Sequence, residues 1–279
     1  MRIHGYGPAV AGLCLVMLAA CGGGSDNGES PPATTGGTPT STPATTGGAP
    51  TSTPGTTETG GSAVKGKVIV IDPGHNGGNA DHPEVINKRV FVGNGYKPCN
   101  TVGTTTRDGY TEHAFAWDLG VRLAGVLRRQ GAKVTLTREN DTGVGPCITE
   151  RAAIGNRARA AAVVSIHADG APRSGHGFHV IEPAPVGRNA SIVEPSHRLG
   201  VEIRDGYRSG TGMPYSTYRG EDALDRRDDL GGLNMSTVPA VFVECGNMQN
   251  PGDAAKLSSA AFRQRAAEGL ATGLGNYLR

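Results

Sequence analysis

The chain has 279 residues and a formal net charge of +2, and only 5% of its residues are aromatic. No basic tract or aromatic stacking platform accompanies that balance, which argues against nucleic acid as a partner. Residues 22–64 hold no Lys, Arg, Leu, Ile or aromatic side chain and are dominated by Gly, Pro, Thr and Ser, so they cannot bury enough apolar surface to offset the entropy of ordering.

At the amino terminus, Arg2 and His4 precede an apolar run over residues 9–20, too short to span a bilayer and the right length for a signal-peptide core. It ends Leu18-Ala-Ala-Cys21-Gly22, which resembles a bacterial lipobox and predicts acylation of Cys21 after removal of the preceding residues. The alternative is an ordinary secretory signal in which Cys21 has no role. Residues 1–21 are thus expected to direct export, and residues 22–64, with a near-repeat over 34–43 and 45–54, to form a disordered tether. As a flexible coil its root-mean-square span is about 35 to 40 Å.

Residues 65–279 suit one single-core domain, carrying 26 basic and 22 acidic residues. Four β-branched residues over 68–71 predict a strand buried on both faces, which Asp72-Pro73-Gly74 then stops, leaving His75 just past the strand's carboxyl end. In open α/β sheets that edge gathers ligands and reacting groups. Residues 76–109 are rich in Gly, Asn, Pro and Thr around a short apolar piece at 90–92, and read as a long irregular insertion or hairpin. An amphipathic helix follows from Thr111-Glu112 to about Gln130, closed by Gly131. Strands are expected over 133–137, 162–167, 177–181 and 239–244, and helices over 151–159, 195–207 and 260–278, with 209–232 as a second long surface loop. The expected fold is α/β, a single domain with a mainly parallel twisted sheet and helices on both faces.

Three strands of that sheet deliver His75, His167 and Glu244 at their carboxyl ends, so the three share one rim, and Glu112 reaches it if its helix packs beside the first strand. Two imidazoles and one carboxylate form a His₂Glu set suited to catalytic zinc, which leaves the second glutamate free to act as a base. Ordinary polar strand ends are the competing reading of the spacing. The succession of motifs goes further. Asp72-Pro-Gly-His75, Thr111-Glu112, Leu136-Thr-Arg138 with Asp141, Arg151 and Asn156 downstream, Ser165-Ile-His-Ala168, and Val238-Pro-Ala-Val-Phe-Val-Glu-Cys-Gly246 followed by Asn250 run in order. They resemble the signatures of zinc-dependent N-acetylmuramoyl-L-alanine amidases of the AmiC and LytC type, in the compact mycobacterial form without wall-binding repeats. The resemblance implies one zinc ion held by His75, Glu112 and His167, Glu244 as general base, and cleavage of the amide between N-acetylmuramic acid and L-alanine of the stem peptide. Asn76, Asp169, Cys245 and Asn247 depart from the usual residues around these motifs without removing an implied ligand.

Other polar residues have quieter readings. His113 points about 100° away from Glu112 on the helix, His176 and His179 are expected in the groove or on the surface, and His197 is expected to be exposed. Cys99 and Cys147 lie beside prolines in loop-like segments and are expected to form a disulfide, with Cys245 a packed free thiol. Arg138 and Arg151 are candidates to brace loops at the site. The sequence therefore predicts an exported, lipid-anchored zinc amidase of the cell envelope, monomeric, acting on peptidoglycan or muropeptides. A non-catalytic wall-binding protein and a zinc hydrolase of another amide are the alternatives.

Overall fold

A computed structural model of the protein describes residues 62–279; Cys21, the expected signal segment and residues 22–61 of the expected tether lie outside the described residues. The elements in chain order are β1 (Val68–Pro73), α1 (Pro83–Ile86), β2 (Arg89–Phe91), β3 (Tyr96–Pro98), α2 (Glu112–Arg129), β4 (Lys133–Leu136), α3 (Ile148–Arg157) and β5 (Ala162–Asp169). They continue with β6 (His179–Pro183), α4 (Val193–Thr211), β7 (Leu224–Arg227), α5 (Gly231–Asn234), β8 (Ala240–Asn247), α6 (Pro251–Leu257) and α7 (Ala260–Tyr277). No described helix is long and apolar enough to cross a membrane.

Six strands form one sheet in the order β4-β1-β5-β8-β6-β7. The first four are parallel, while β6 pairs antiparallel with β8 and parallel with β7, so the last two run the other way. Strand alternation assigns the side chains to two layers. Ile69, Ile71, Val164, Ile166, Val241 and Val243 face the larger core under α2, α4 and α7, whereas Val70, Val163 and Ala240 face a smaller one with Leu233. The apolar runs of β1, β5 and β8 therefore reflect burial on both faces. The same alternation sends Asp72, His167, Glu244 and His179 to the second, thinly covered face.

Residues 76–109, expected as an irregular insertion or hairpin, hold the β2–β3 hairpin, whereas 209–232, expected as a surface loop, hold β7 and the first two residues of α5. β7 reads Leu-Asp-Arg-Arg, and its charged side chains suit a sheet edge while hiding any apolar alternation. The fold also begins before Lys65, the expected domain boundary. Val64 is fully buried in the larger core, and the Gly66 N–H donates to the Gly131 carbonyl at 2.8 Å.

Candidate metal centre

The turn that ends β1 is gripped by two buried arginines. Arg138 Nε donates to the Pro73 carbonyl at 2.9 Å, and its Nη2 to the His113 carbonyl at 2.9 Å. Arg151 donates to Asp72 Oδ1, the Pro73 carbonyl and the His75 carbonyl, each at 2.7 Å. Asp72 also accepts from the Thr137 hydroxyl at 2.5 Å and the Ser165 hydroxyl at 2.6 Å, joining the turn to the residue after β4 and to the middle of β5. This scaffold holds His75 at a φ of 57°, a left-handed conformation that is uncommon for a residue with a side chain and recurs at functional sites. Gly74 is required by close approach, since a Cβ there would lie 2.3 Å from the His167 ring.

On that scaffold, His75 Nε2 and His167 Nδ1 each lie 3.0 Å from Glu112 Oε1. One ligand atom from each of the three residues falls within 4.8 Å of the other two. Surrounding groups aim them. His75 Nδ1–H donates to the Thr101 carbonyl at 3.0 Å, which fixes the tautomer and leaves the Nε2 lone pair facing the centre. Glu112 Oε2 accepts from the Thr104 N–H at 2.9 Å and Oε1 from the Ala168 N–H at 3.2 Å. The His167 ring stacks on Phe242 with centroids 5.0 Å apart. Two imidazoles and a carboxylate, each oriented by a second group, are the donor chemistry that zinc accepts, so these residues fit that ion.

The electrostatics are consistent with a cation site. Burial opposes ionisation of Glu112, but the two histidines overcome it and lower its pKa. Burial likewise opposes charge on His75, and the adjacent Glu112 more than offsets it, so that pKa rises. Glu244 lies next to His167 in the β5–β8 pairing and lines the same cleft, of about 340 Å³, whose floor continues over Phe242 and Ile181 towards Arg227. Burial pushes its pKa well up, helped by the carboxylates of Glu112 and Asp169 and opposed by Arg227.

His75, Glu112, His167 and Glu244 thus come together from separate elements, and the other candidates stand apart. His113 turns away, with Nδ1 2.8 Å from Asp141 Oδ2. His179, expected in the groove or on the surface, is only 1% exposed, because it lies on β6 between two neighbouring strands. His197, expected to be exposed, is half-buried with Nδ1 2.7 Å from the buried Glu182 Oε2, because α4 packs over β6. Cys99 and Cys147 form a disulfide, and Cys245 is a buried free thiol whose pKa burial pushes up, leaving it a packing residue. Sequence reasoning missed Thr101 and Thr104: Thr104 acts through its backbone N–H, and Thr101 through its carbonyl, with its hydroxyl 3.1 Å from the same His75 Nδ1.

Residues 69–276 match the family described as N-acetylmuramoyl-L-alanine amidase. An N-acetylmuramoyl-L-alanine amidase of Mycobacterium tuberculosis is 44% identical over 216 residues, covering 77% of this chain and 88% of the relative. Two solved N-acetylmuramyl-L-alanine amidases, from Mycobacterium smegmatis and Mycobacterium abscessus, match with a TM-score of 0.73 at 41% and 40% identity. Each match covers 77% of this chain, and 98% and 100% of the respective structures. With the matched region spanning the whole cleft, the chain belongs to the N-acetylmuramoyl-L-alanine amidase family.

Proposed function

We propose that the chain hydrolyses the amide joining N-acetylmuramic acid to L-alanine of peptidoglycan stem peptides, with one zinc ion held by His75, Glu112 and His167 and with Glu244 as general base. The observation that carries this reading is the convergence of three ligand atoms within 4.8 Å of one another in the cleft that Glu244 lines. Zinc bound there would polarise the scissile carbonyl and lower the pKa of water towards 7. Glu244 takes a proton from the attacking water as the water oxygen bonds to the carbonyl carbon. It returns that proton to the stem-peptide nitrogen as the C–N bond breaks, giving a lactyl carboxylic acid and a free alanine amine.

The test is Glu244→Gln. The variant is expected to retain one zinc per chain and to lose roughly 10²- to 10⁴-fold in rate, while the wild type releases peptides with an L-alanine amino terminus. Near-wild-type hydrolysis by the variant, or hydrolysis by the wild type that survives complete removal of zinc, would overturn the assignment. The reading also includes export, acylation of Cys21, a tether that ends before Val64, and action as a monomer on peptidoglycan or muropeptides in the cell envelope. It draws on the lipobox-like pattern and the tether's composition. An unmodified amino terminus beyond Cys21, found by mass spectrometry, would remove the lipid anchor from it.

A further inference from the structure

His179 has no part in the chemistry described so far, yet it stands opposite the proposed base. It opens β6 directly across from Glu244 in the antiparallel β6–β8 pairing. Opposed residues of such a pair project from the same face with Cβ atoms about 4.5 to 5.5 Å apart. His179 is 1% exposed, and its ring meets Tyr218 edge-on at 5.9 Å. His179 Nδ1 is buried without a hydrogen-bond partner, and so is Glu244 Oε2. Buried polar atoms are almost always paired, and leaving one without a partner is destabilising. The two orphans belong to residues opposed across one strand gap, a nitrogen that can donate and an oxygen that only accepts while ionised. Catalytic hydrogen bonds are often long in a ligand-free site and tighten once substrate is bound.

We propose that His179 is a positioning residue for Glu244, its Nδ1–H holding the inward carboxylate oxygen, directly or through one water, so that the other oxygen stays turned to the cleft. The proposal rests on Glu244 being the general base. Burial pushes the His179 pKa down to about 4, so at neutral pH the ring supplies one N–H without adding a charge beside the metal site. Asp225 Oδ2, on the neighbouring strand β7, is also buried without a partner.

The experiment compares His179→Asn, His179→Gln and His179→Leu in the full-length chain, reading kcat, KM, zinc content and melting temperature, with Glu244→Gln alongside. Asparagine sets an amide nitrogen where Nδ1 was, and glutamine sets one nearer Nε2. His179→Leu and His179→Gln are expected to lose roughly 10- to 100-fold in kcat with KM and zinc unchanged, and His179→Asn to recover most of it. Wild-type kcat in a folded, zinc-loaded His179→Leu would overturn the role, as would equal losses in all three variants, the mark of packing alone. In the wild type, nitrogen NMR should show Nδ1 protonated and its shift moving in Glu244→Gln; an unprotonated Nδ1 would overturn the proposal without any His179 variant. Activity retained by Glu244→Gln would remove the general-base reading itself. A dead Glu244→Gln beside a fully active His179→Leu would remove only the role of His179.

Discussion

Asp72 sets where His75 can stand, and its own ionisation follows from that duty. Burial would raise its pKa, but Arg151 and the hydroxyls of Ser165 and Thr137 overcome burial and hold it at about 2, against an ordinary value of 3.8. The stabilisation is fully present above pH 3.8 and is lost as pH falls through about 2, amounting to about 2 kcal/mol. Asp72→Asn leaves the buried Arg151 without its counter-charge and is expected to cost about 3 to 5 kcal/mol at neutral pH. Denaturant melts from pH 6 down to 2 should show a shallower acid slope in the variant; parallel slopes would mean that Asp72 is not the group that titrates. At this scale the sequence was legible where a polar residue follows an apolar run, as His75, His167 and Glu244 do, although β5 and β8 continue past His167 and Glu244 to Asp169 and Asn247. It was silent on His179, whose burial comes from its neighbours in the sheet, and on the directions of Arg138 and Arg151, which tertiary contacts set.

Between elements, two joints carry expectations. The Cys99–Cys147 disulfide, with a sequence separation of 48, ties the end of the β2–β3 hairpin to the residue before α3. Thr101, whose carbonyl holds His75, follows two residues after Cys99. Cys99→Ser with Cys147→Ser is therefore expected to cost roughly 2 to 4 kcal/mol and to weaken zinc binding roughly tenfold, read by melts and by chelator competition. Unchanged zinc affinity would mean that the Asn79 amide, which donates to the same carbonyl at 2.8 Å, holds the loop without the bridge. The second joint is α4 against α7, which meet backbone to backbone. A Cβ on Gly206 would lie 2.5 Å from the Gly269 carbonyl oxygen, and one on Gly269 would lie 2.6 Å from that of Gly206. Gly269→Ala should cost about 1 to 3 kcal/mol by overpacking, whereas Gly275→Ala in the same helix meets nothing within 4 Å and should gain up to about 1 kcal/mol. Equal effects would mean that helix propensity alone governs both sites. The four-residue spacings of Gly206 with Gly210 and of Gly269 with Gly273 were visible in the sequence. Glycine in a helix reads there only as a weakness, so the pairing of the two helices was not.

For the whole molecule, composition located the start of the domain near residue 65 because Gly, Pro, Thr and Ser give way there to apolar runs. It missed the last few residues of the transition because one valine is no pattern. Val64 is fully buried among core residues that include Ile69, Phe115 and Leu127, and the turn carrying it is tied by the Lys67 N–H donating to the Val64 carbonyl at 3.1 Å. Burying a valine side chain contributes about 1.5 to 3 kcal/mol. A fragment of residues 65–279 leaves that position empty beneath α2 and the start of β1, whereas a fragment of residues 62–279 fills it. At about 2 to 4 °C per kcal/mol for a domain of this size, the shorter fragment should melt roughly 4 to 8 °C lower. Its zinc content and specific activity at 25 °C should be unchanged, because the metal centre gathers at the opposite, carboxyl end of β1. Equal melting temperatures would return the boundary to residue 65. A loss of zinc in the shorter fragment would instead show that the two ends of β1 are coupled through the sheet.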